Sequence, residues 1–76
     1  MKKLSVLKVG EEGIIDSFLK TDLSIKLMEM GCVPGERVIV EQIAPLGDPI
    51  SIWVSGYSLS LRLDEAAGVL IDTSTN

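Results

Sequence analysis

Side chains able to do chemistry are few in this 76-residue sequence, which has no histidine and a single cysteine, Cys32. Histidine is the commonest general base and metal ligand, and a lone thiol without it cannot form the usual activated pair. Carboxylates alone can bind a hard cation weakly, but the adjacent acids at residues 11–12 and 64–65 are more simply explained as solvated turns. No phosphate-binding glycine loop is present. The sequence therefore predicts neither an enzyme nor a resident metal or cofactor.

Charge and composition narrow the range of partners and compartments. Eleven acidic against seven basic residues give a net charge of −4, so the phosphate backbone of a nucleic acid would be repelled. A hydrophobic fraction of 46% argues against disorder. However, no apolar stretch approaches the roughly 20 residues of a membrane span. One cysteine cannot form an internal disulfide and is typical of a reducing compartment, so a cytoplasmic protein is expected. The charge and the lack of a long apolar stretch predict neither nucleic-acid binding nor membrane insertion.

A short helix is predicted in the first half of the chain. It is expected to begin after Asp22 or Thr21, whose side-chain oxygen can accept from the free N–H groups of the first turn, and to run to about Met30. Gly31 stands where a helix ends in the left-handed conformation, and Cys32 occupies the next position of a Schellman motif. The stripe expected to face the core consists of Leu23, Leu27 and Met30.

Strands and turns are predicted on both sides of this helix. Residues 10–13, with glycine at both ends, indicate a turn, and residues 14–19 alternate as a strand. Pro34 and Gly35 are typical of the two central positions of a type II turn. In the strand that follows, Val38 and Val40 alternate with Ile39 and Glu41, and the alternation slips at residues 42–43, as at a bulge or strand bend.

The second half of the chain is predicted to be almost entirely β. A loop at residues 44–49, a two-residue hairpin turn at residues 55–56, one helical turn at residues 64–67 and a closing strand at residues 69–71 are indicated. The inward-facing residues are expected to be Ile50, Ile52, Val54, Tyr57, Leu59, Leu61 and Leu63. Five or six short strands with one short helix predict an all-β fold, a small closed barrel. We expect one domain over residues 1–76, ordered from about residue 4 to residue 72.

Three exposed features are candidates for partner binding. They are Ile25 and Met28 on the helix face away from the core, Trp53 on the outer face of its strand, and Pro45, Leu46 and Pro49 in the loop. Exposed apolar side chains and tryptophan are common in binding surfaces, and a loop stiffened by proline loses less entropy on docking. Each feature also has a structural explanation, because a loop can cover the helix, tryptophan can cap the core, and prolines can simply shape a hairpin.

Several of these motifs occur in the order found in a known family. Residues 27–35 (LMEMGCVPG), residues 44–50 (APLGDPI) and residues 59–62 followed by Glu65 and Ala66 resemble the motifs of the ferrous iron transport protein A (FeoA) family. Residues 4–13 are similar to the family's opening segment. The structural positions of these motifs are Gly31, Pro34, Gly35, Gly47 and Asp48.

This resemblance implies an SH3-like barrel that acts in the cytoplasm. It also implies a partner, the cytoplasmic region of a FeoB-type ferrous iron permease with its GTP-binding domain, which the small protein binds and regulates to support Fe(II) uptake. The resemblance gives no residue a catalytic role.

Two other functions remain open from the sequence. Similar barrels end repressors of the diphtheria-toxin-repressor type, so a regulatory domain acting on such a transcription factor is the alternative, although the acidic charge and the lack of a recognition helix weigh against it. A metal carrier that uses only carboxylates is the third possibility, weakened by the lack of soft ligands.

Overall fold

Strands in the computed structural model lie where apolar and polar residues alternate, and the longer helix lies where apolar residues recur every three to four positions. The structure describes residues 1–73; residues 74–76, which fall beyond the predicted ordered part, lie outside the described residues. The strands are β1 Lys2–Lys3, β2 Glu12–Phe18, β3 Arg37–Ile43, β4 Ile50–Val54, β5 Tyr57–Leu61 and β6 Val69–Asp72. The helices are α1 Thr21–Glu29 and α2 Leu63–Ala66, with a 3-10 turn at Leu4–Val6.

All described strands form one antiparallel sheet in the order β1-β6-β2-β3-β4-β5. The first strand, β1, pairs with β6 near the other end of the chain, with Lys2 opposite Ile71 and Lys3 opposite Leu70. Within residues 1–73, β1 and β5 are the sheet edges and do not pair, and the 3-10 turn packs against α2 and β6. Packing of helical segments, rather than a continuous hydrogen-bonded ring, therefore completes the barrel. The all-β prediction with one short helix is confirmed.

The interior is aliphatic, as expected for a chain with three aromatic residues. Its buried residues are Leu4, Leu7, Ile15, Leu27, Cys32, Val38, Val40, Ile50, Ile52, Val54, Leu61, Ala66, Val69 and Ile71. The predicted inward phase of β4 is confirmed, Val38 and Val40 are the buried residues of the alternation in β3, and the register shift between Val40 and Gln42 confirms the bulge. Two inward assignments are wrong. Tyr57 is exposed beside the hairpin turn, and Leu63 is exposed because β5 has already ended at Leu61 and Leu63 is the first residue of α2.

The predicted C-terminus of α1 is confirmed in detail. Gly31 has φ +92° and donates its N–H to the Met28 carbonyl at 3.1 Å, while the Cys32 N–H reaches the Leu27 carbonyl at 2.9 Å. These two bonds are those of a Schellman motif. The predicted N-cap is wrong: Lys20 is the extended residue before the helix, so Asp22 lies inside the first turn and accepts from the Leu23 N–H at 3.0 Å.

The turns at residues 33–36 and 55–56 form as predicted, and one turn does not. The Glu36 N–H donates to the Val33 carbonyl at 3.0 Å around Gly35 at φ +95°. Gly13, however, is a buried strand residue and not part of the first turn, which closes between Lys8 and Glu11. A Cβ at Gly13 would lie 2.7 Å from the Asp72 carbonyl oxygen, so glycine is required here for the close approach of β6.

Candidate partner-binding site

Trp53 lies on the outer face of the sheet, where its side chain is 42% exposed. Strand register places it opposite Ile39 on β3 and opposite Ser58 on β5, and it places Ile39 opposite Glu12 on β2. Residues directly opposite each other on antiparallel strands share one face of the sheet. Four strands therefore contribute one continuous row, Glu12, Ile39, Trp53 and Ser58, on the surface of the barrel.

A groove of about 800 Å³ runs beside Trp53. Its lining residues are Glu36, Arg37, Ile39, Trp53, Ser55 and Gly56. The sequence interpretation identified Trp53 and missed the others. The outward phase of Ile39, opposite to that of Val38 and Val40, was the available sign, but it points to a shared site only once β3 and β4 are known to be paired.

The charges around this groove are mostly negative. The Arg37 guanidinium forms an ion pair with the Glu12 carboxylate, whereas neither Glu36 nor Glu41 forms an ion pair within residues 1–73. Glu41 belongs to the same face, because its Oε1 accepts the Ser58 hydroxyl at 2.7 Å and Ser58 lies directly opposite Trp53. The apolar surface of Trp53 and Ile39 is thus bordered by more carboxylates than cations.

Ser55 connects this groove with the end of α1. Its Oγ lies 2.7 Å from the Gly31 carbonyl oxygen and 3.0 Å from Glu36 Oε1, so its one proton can be donated to either. On α1 itself, Ile25 and Met28 are exposed, the latter at 40%. Their exposure agrees with the predicted helix phase. The helix end and the Trp53 strand are therefore joined at the Ser55 turn.

The proline loop lies at the other end of β4 and is not brought together with Trp53. Pro45 and Pro49 are exposed, and Leu46 is 95% exposed on a turn closed by the Gly47 N–H and the Ala44 carbonyl oxygen at 2.7 Å. Asp48 Oδ1 accepts the Leu63 N–H at 3.0 Å, which ties the loop to the start of α2. The predicted partner-binding residues thus form two separate sets.

The family of this chain follows from a match that covers nearly all of it. Residues 2–73 match the FeoA domain model. The chain belongs to the FeoA family.

Relatives of this FeoA-family chain include a fusion protein and a FeoA-like protein. It is 34% identical over 71 residues to an Fe(2+) transport protein A/Fe(2+) transporter FeoB fusion protein of Porphyromonas gingivalis, a match that covers 92% of this chain and only 8% of the fusion protein. It is 32% identical to a FeoA-like protein of Clostridium acetobutylicum, with a TM-score of 0.87 over 100% of this chain and 93% of that one.

Another solved relative confirms the predicted SH3-like fold. FeoA of Stenotrophomonas maltophilia, complexed with zinc and described as a prokaryotic SH3 domain protein, is 26% identical with a TM-score of 0.84, covering 99% of this chain and 94% of that one. A manganese-dependent transcriptional repressor has a TM-score of 0.84 over 95% of this chain and 41% of its own, but at 14% identity it shares the fold alone.

Two titratable groups of this FeoA-family chain have shifted pKa values. Burial raises the pKa of the Cys32 thiol, which behaves as a small apolar core residue. The Lys26 ammonium and the Arg62 N–H hold the pKa of the Glu65 carboxyl below its usual range. In the described part of the chain, no three His, Cys, Asp or Glu side chains gather as a metal site, and no helix has the length and apolarity to span a bilayer.

Proposed function

We propose that this chain is a cytoplasmic interaction module that binds the cytoplasmic region of a FeoB-type ferrous iron permease and regulates it. The observation that carries the proposal is the fusion protein of Porphyromonas gingivalis, which joins a FeoA segment and FeoB in one polypeptide. Joining two domains gives each a high effective concentration around the other. Such an arrangement supports a function in which the two act in contact.

The exposed apolar side chains supply the anchors that such contact needs. Met28 and Ile25 on α1 and Trp53 on β4 each present a large apolar surface to solvent, and a few desolvated contacts carry most of the energy of an interface. A domain of this size offers a small patch, so we expect a dissociation constant of about micromolar. The role is one of binding without catalysis, and no residue is proposed to hold iron.

A titration with the isolated cytoplasmic region of the permease, including its GTP-binding domain, tests the proposal. We expect Met28→Asp to weaken binding about tenfold or more, because it places a charge in the desolvated patch. Leu46→Asp makes the same type of change at a more exposed site in the proline loop, on the other end of the barrel. It compares the two sets of candidates, and normal binding by this variant would assign the contact to the α1 side. Circular dichroism verifies that both variants fold.

Regulation is tested in the same preparation. Adding the wild-type chain should change the rate of GTP hydrolysis by the permease region, and Met28→Asp should abolish that change at equal concentration. Cells that carry Met28→Asp should take up less Fe(II) than cells that carry Leu46→Asp. Lack of binding by the wild-type chain at about 100 µM, well above the expected dissociation constant, would contradict the proposal. A folded Met28→Asp variant that binds normally would place the contact elsewhere, with the proline loop as the next candidate.

A further inference from the structure

The groove beside Trp53 combines an apolar floor with a negative border. Trp53 and Ile39 form the floor, and the three carboxylates of Glu12, Glu36 and Glu41 stand on the same face. Arg37 is the cation of this border, and its guanidinium is already paired with Glu12. A ligand that fits must therefore bring positive charge together with an apolar side chain, and phosphate-rich or acidic surfaces are repelled.

We propose that this groove binds a short basic segment of the partner, with a lysine or arginine over the Trp53 indole and a neighbouring apolar side chain against Ile39. The inference rests on the proposed function, because it names the part of the permease's cytoplasmic region that this face contacts. A cation over a tryptophan face is attracted by the ring quadrupole, and nearby carboxylates strengthen that attraction. The volume of about 800 Å³ lies within the range of sites that hold a ligand of several groups.

The walls of the groove are held in place before any ligand arrives. The Ser55 hydroxyl lies within hydrogen-bond distance of both the Gly31 carbonyl and Glu36, and the neighbouring Arg37 forms an ion pair with Glu12. Pre-positioned groups lose less conformational entropy on binding. The site is therefore suited to recognising an extended segment without rearrangement of the barrel.

The single tryptophan of the chain makes this groove directly observable, because all tryptophan fluorescence comes from Trp53. The probes are three synthetic peptides of about ten residues. The first has a leucine between two arginines, the second has glutamine in place of both arginines, and the third has glutamate in place of both arginines. We expect only the arginine peptide to change the fluorescence, with a dissociation constant on the order of 0.1–1 mM, as suits a single short segment. Binding should weaken at least about threefold between 50 and 500 mM salt. Backbone amide shifts should centre on Arg37, Ile39, Trp53 and Ser55.

Three variants separate charge from aromatic contact. Glu36→Gln should weaken binding of the arginine peptide about two- to threefold by removing a carboxylate that has no ion pair within residues 1–73. Asp64→Asn removes an equal charge in α2 and should change nothing. Trp53→Leu keeps an apolar side chain without the ring face and should weaken binding about two- to fivefold. Peptide binding to these variants is measured from NMR chemical shifts of the backbone amides, which also show whether each variant folds. If Trp53→Leu does not fold, the affinity of Glu36→Gln for the arginine peptide tests the inference. Equal binding of the glutamine peptide, or shifts centred on Leu46 or α1, would overturn the inference.

The permease region separates this inference from the function on which it rests. If Glu36→Gln and Trp53→Leu bind that region as tightly as the wild-type chain while Met28→Asp does not, the groove is not the contact and the proposed function stands. If the arginine peptide binds the groove and the permease region does not bind at all, the basic ligand is correct and the proposed partner is wrong.

Discussion

The two ends of β4 carry the two sets of predicted partner-binding residues, and they differ in how those residues are arranged. At the hairpin end, strand pairing places Trp53 next to Ile39, and Ser55 links the groove to the last turn of α1. At the loop end, Leu46 is more than twice as exposed but stands on a small turn. The most exposed apolar side chain is therefore isolated, whereas the less exposed Trp53 belongs to a continuous apolar surface beside charged groups. The proposed contact depends on this second arrangement.

The largest expected effect that distinguishes the two ends comes from a matched pair of glycines. Gly31 and Gly47 have nearly equal φ angles, +92° and +89°, so alanine carries a similar conformational cost at both, about 1–2 kcal/mol. A Cβ at Gly31 would also lie 3.2 Å from Ser55 Oγ and 3.3 Å from the Tyr57 hydroxyl oxygen, whereas one at Gly47 would have no atom within 4 Å. Gly31→Ala should therefore lower the free energy of unfolding by about 2–3 kcal/mol and Gly47→Ala by about half as much.

Urea unfolding of both variants measures this difference. Equal losses would show that the hairpin turn yields to the extra methyl group, and that the hairpin end is no more tightly packed than the loop end. Gly31→Val, which adds a β-branched side chain at the same crowded position, should be at least as destabilising as Gly31→Ala.

A smaller effect is expected from removing one hydrogen-bonding side chain at each end. Ser55→Ala removes the hydroxyl near the Gly31 carbonyl and Glu36, and Asp48→Ala removes the acceptor of the Leu63 N–H. Each should lower stability by about 1 kcal/mol, the usual contribution of one such bond. Only Ser55→Ala should also weaken binding of the permease region, because only it loosens a wall of the groove. If Asp48→Ala weakens binding as much, the loop end takes part in the contact.

The smallest effect is a pH dependence confined to the α2 side of the barrel. Glu65 accepts from Lys26 of α1 and from the Arg62 N–H, which lowers its pKa in the folded state. Its contribution to stability is therefore fully present above the unfolded pKa of about 4.3 and is lost as the pH falls through the lower folded value. Between about pH 5 and pH 3, the wild-type chain should lose more stability than Glu65→Gln, whose side chain does not titrate. If the free energies of unfolding of the two proteins fall equally between pH 5 and pH 3, the assignment to Glu65 is wrong.

Features set by neighbours along the chain could be predicted from the sequence. The Gly31 helix end, the turn at Pro34 and Gly35, and the outward phase of Trp53 each depend on a few adjacent residues. The groove could not be predicted, because its floor forms only when Ile39 and Trp53 are placed opposite each other by pairing of two strands. Gly13 was assigned to a turn for the same reason: the strand that requires a glycine there, β6, lies at the far end of the sequence.

The pairing of β1 with β6 brings the two ends of the described chain close together. Lys2 faces Ile71, so the described polypeptide enters the fold on the edge strand β1 and leaves it on the neighbouring strand β6. A host protein could thus display the barrel from either end, or within one of its own surface loops. Attachment at either end, or at both, leaves every strand of the described sheet uninterrupted.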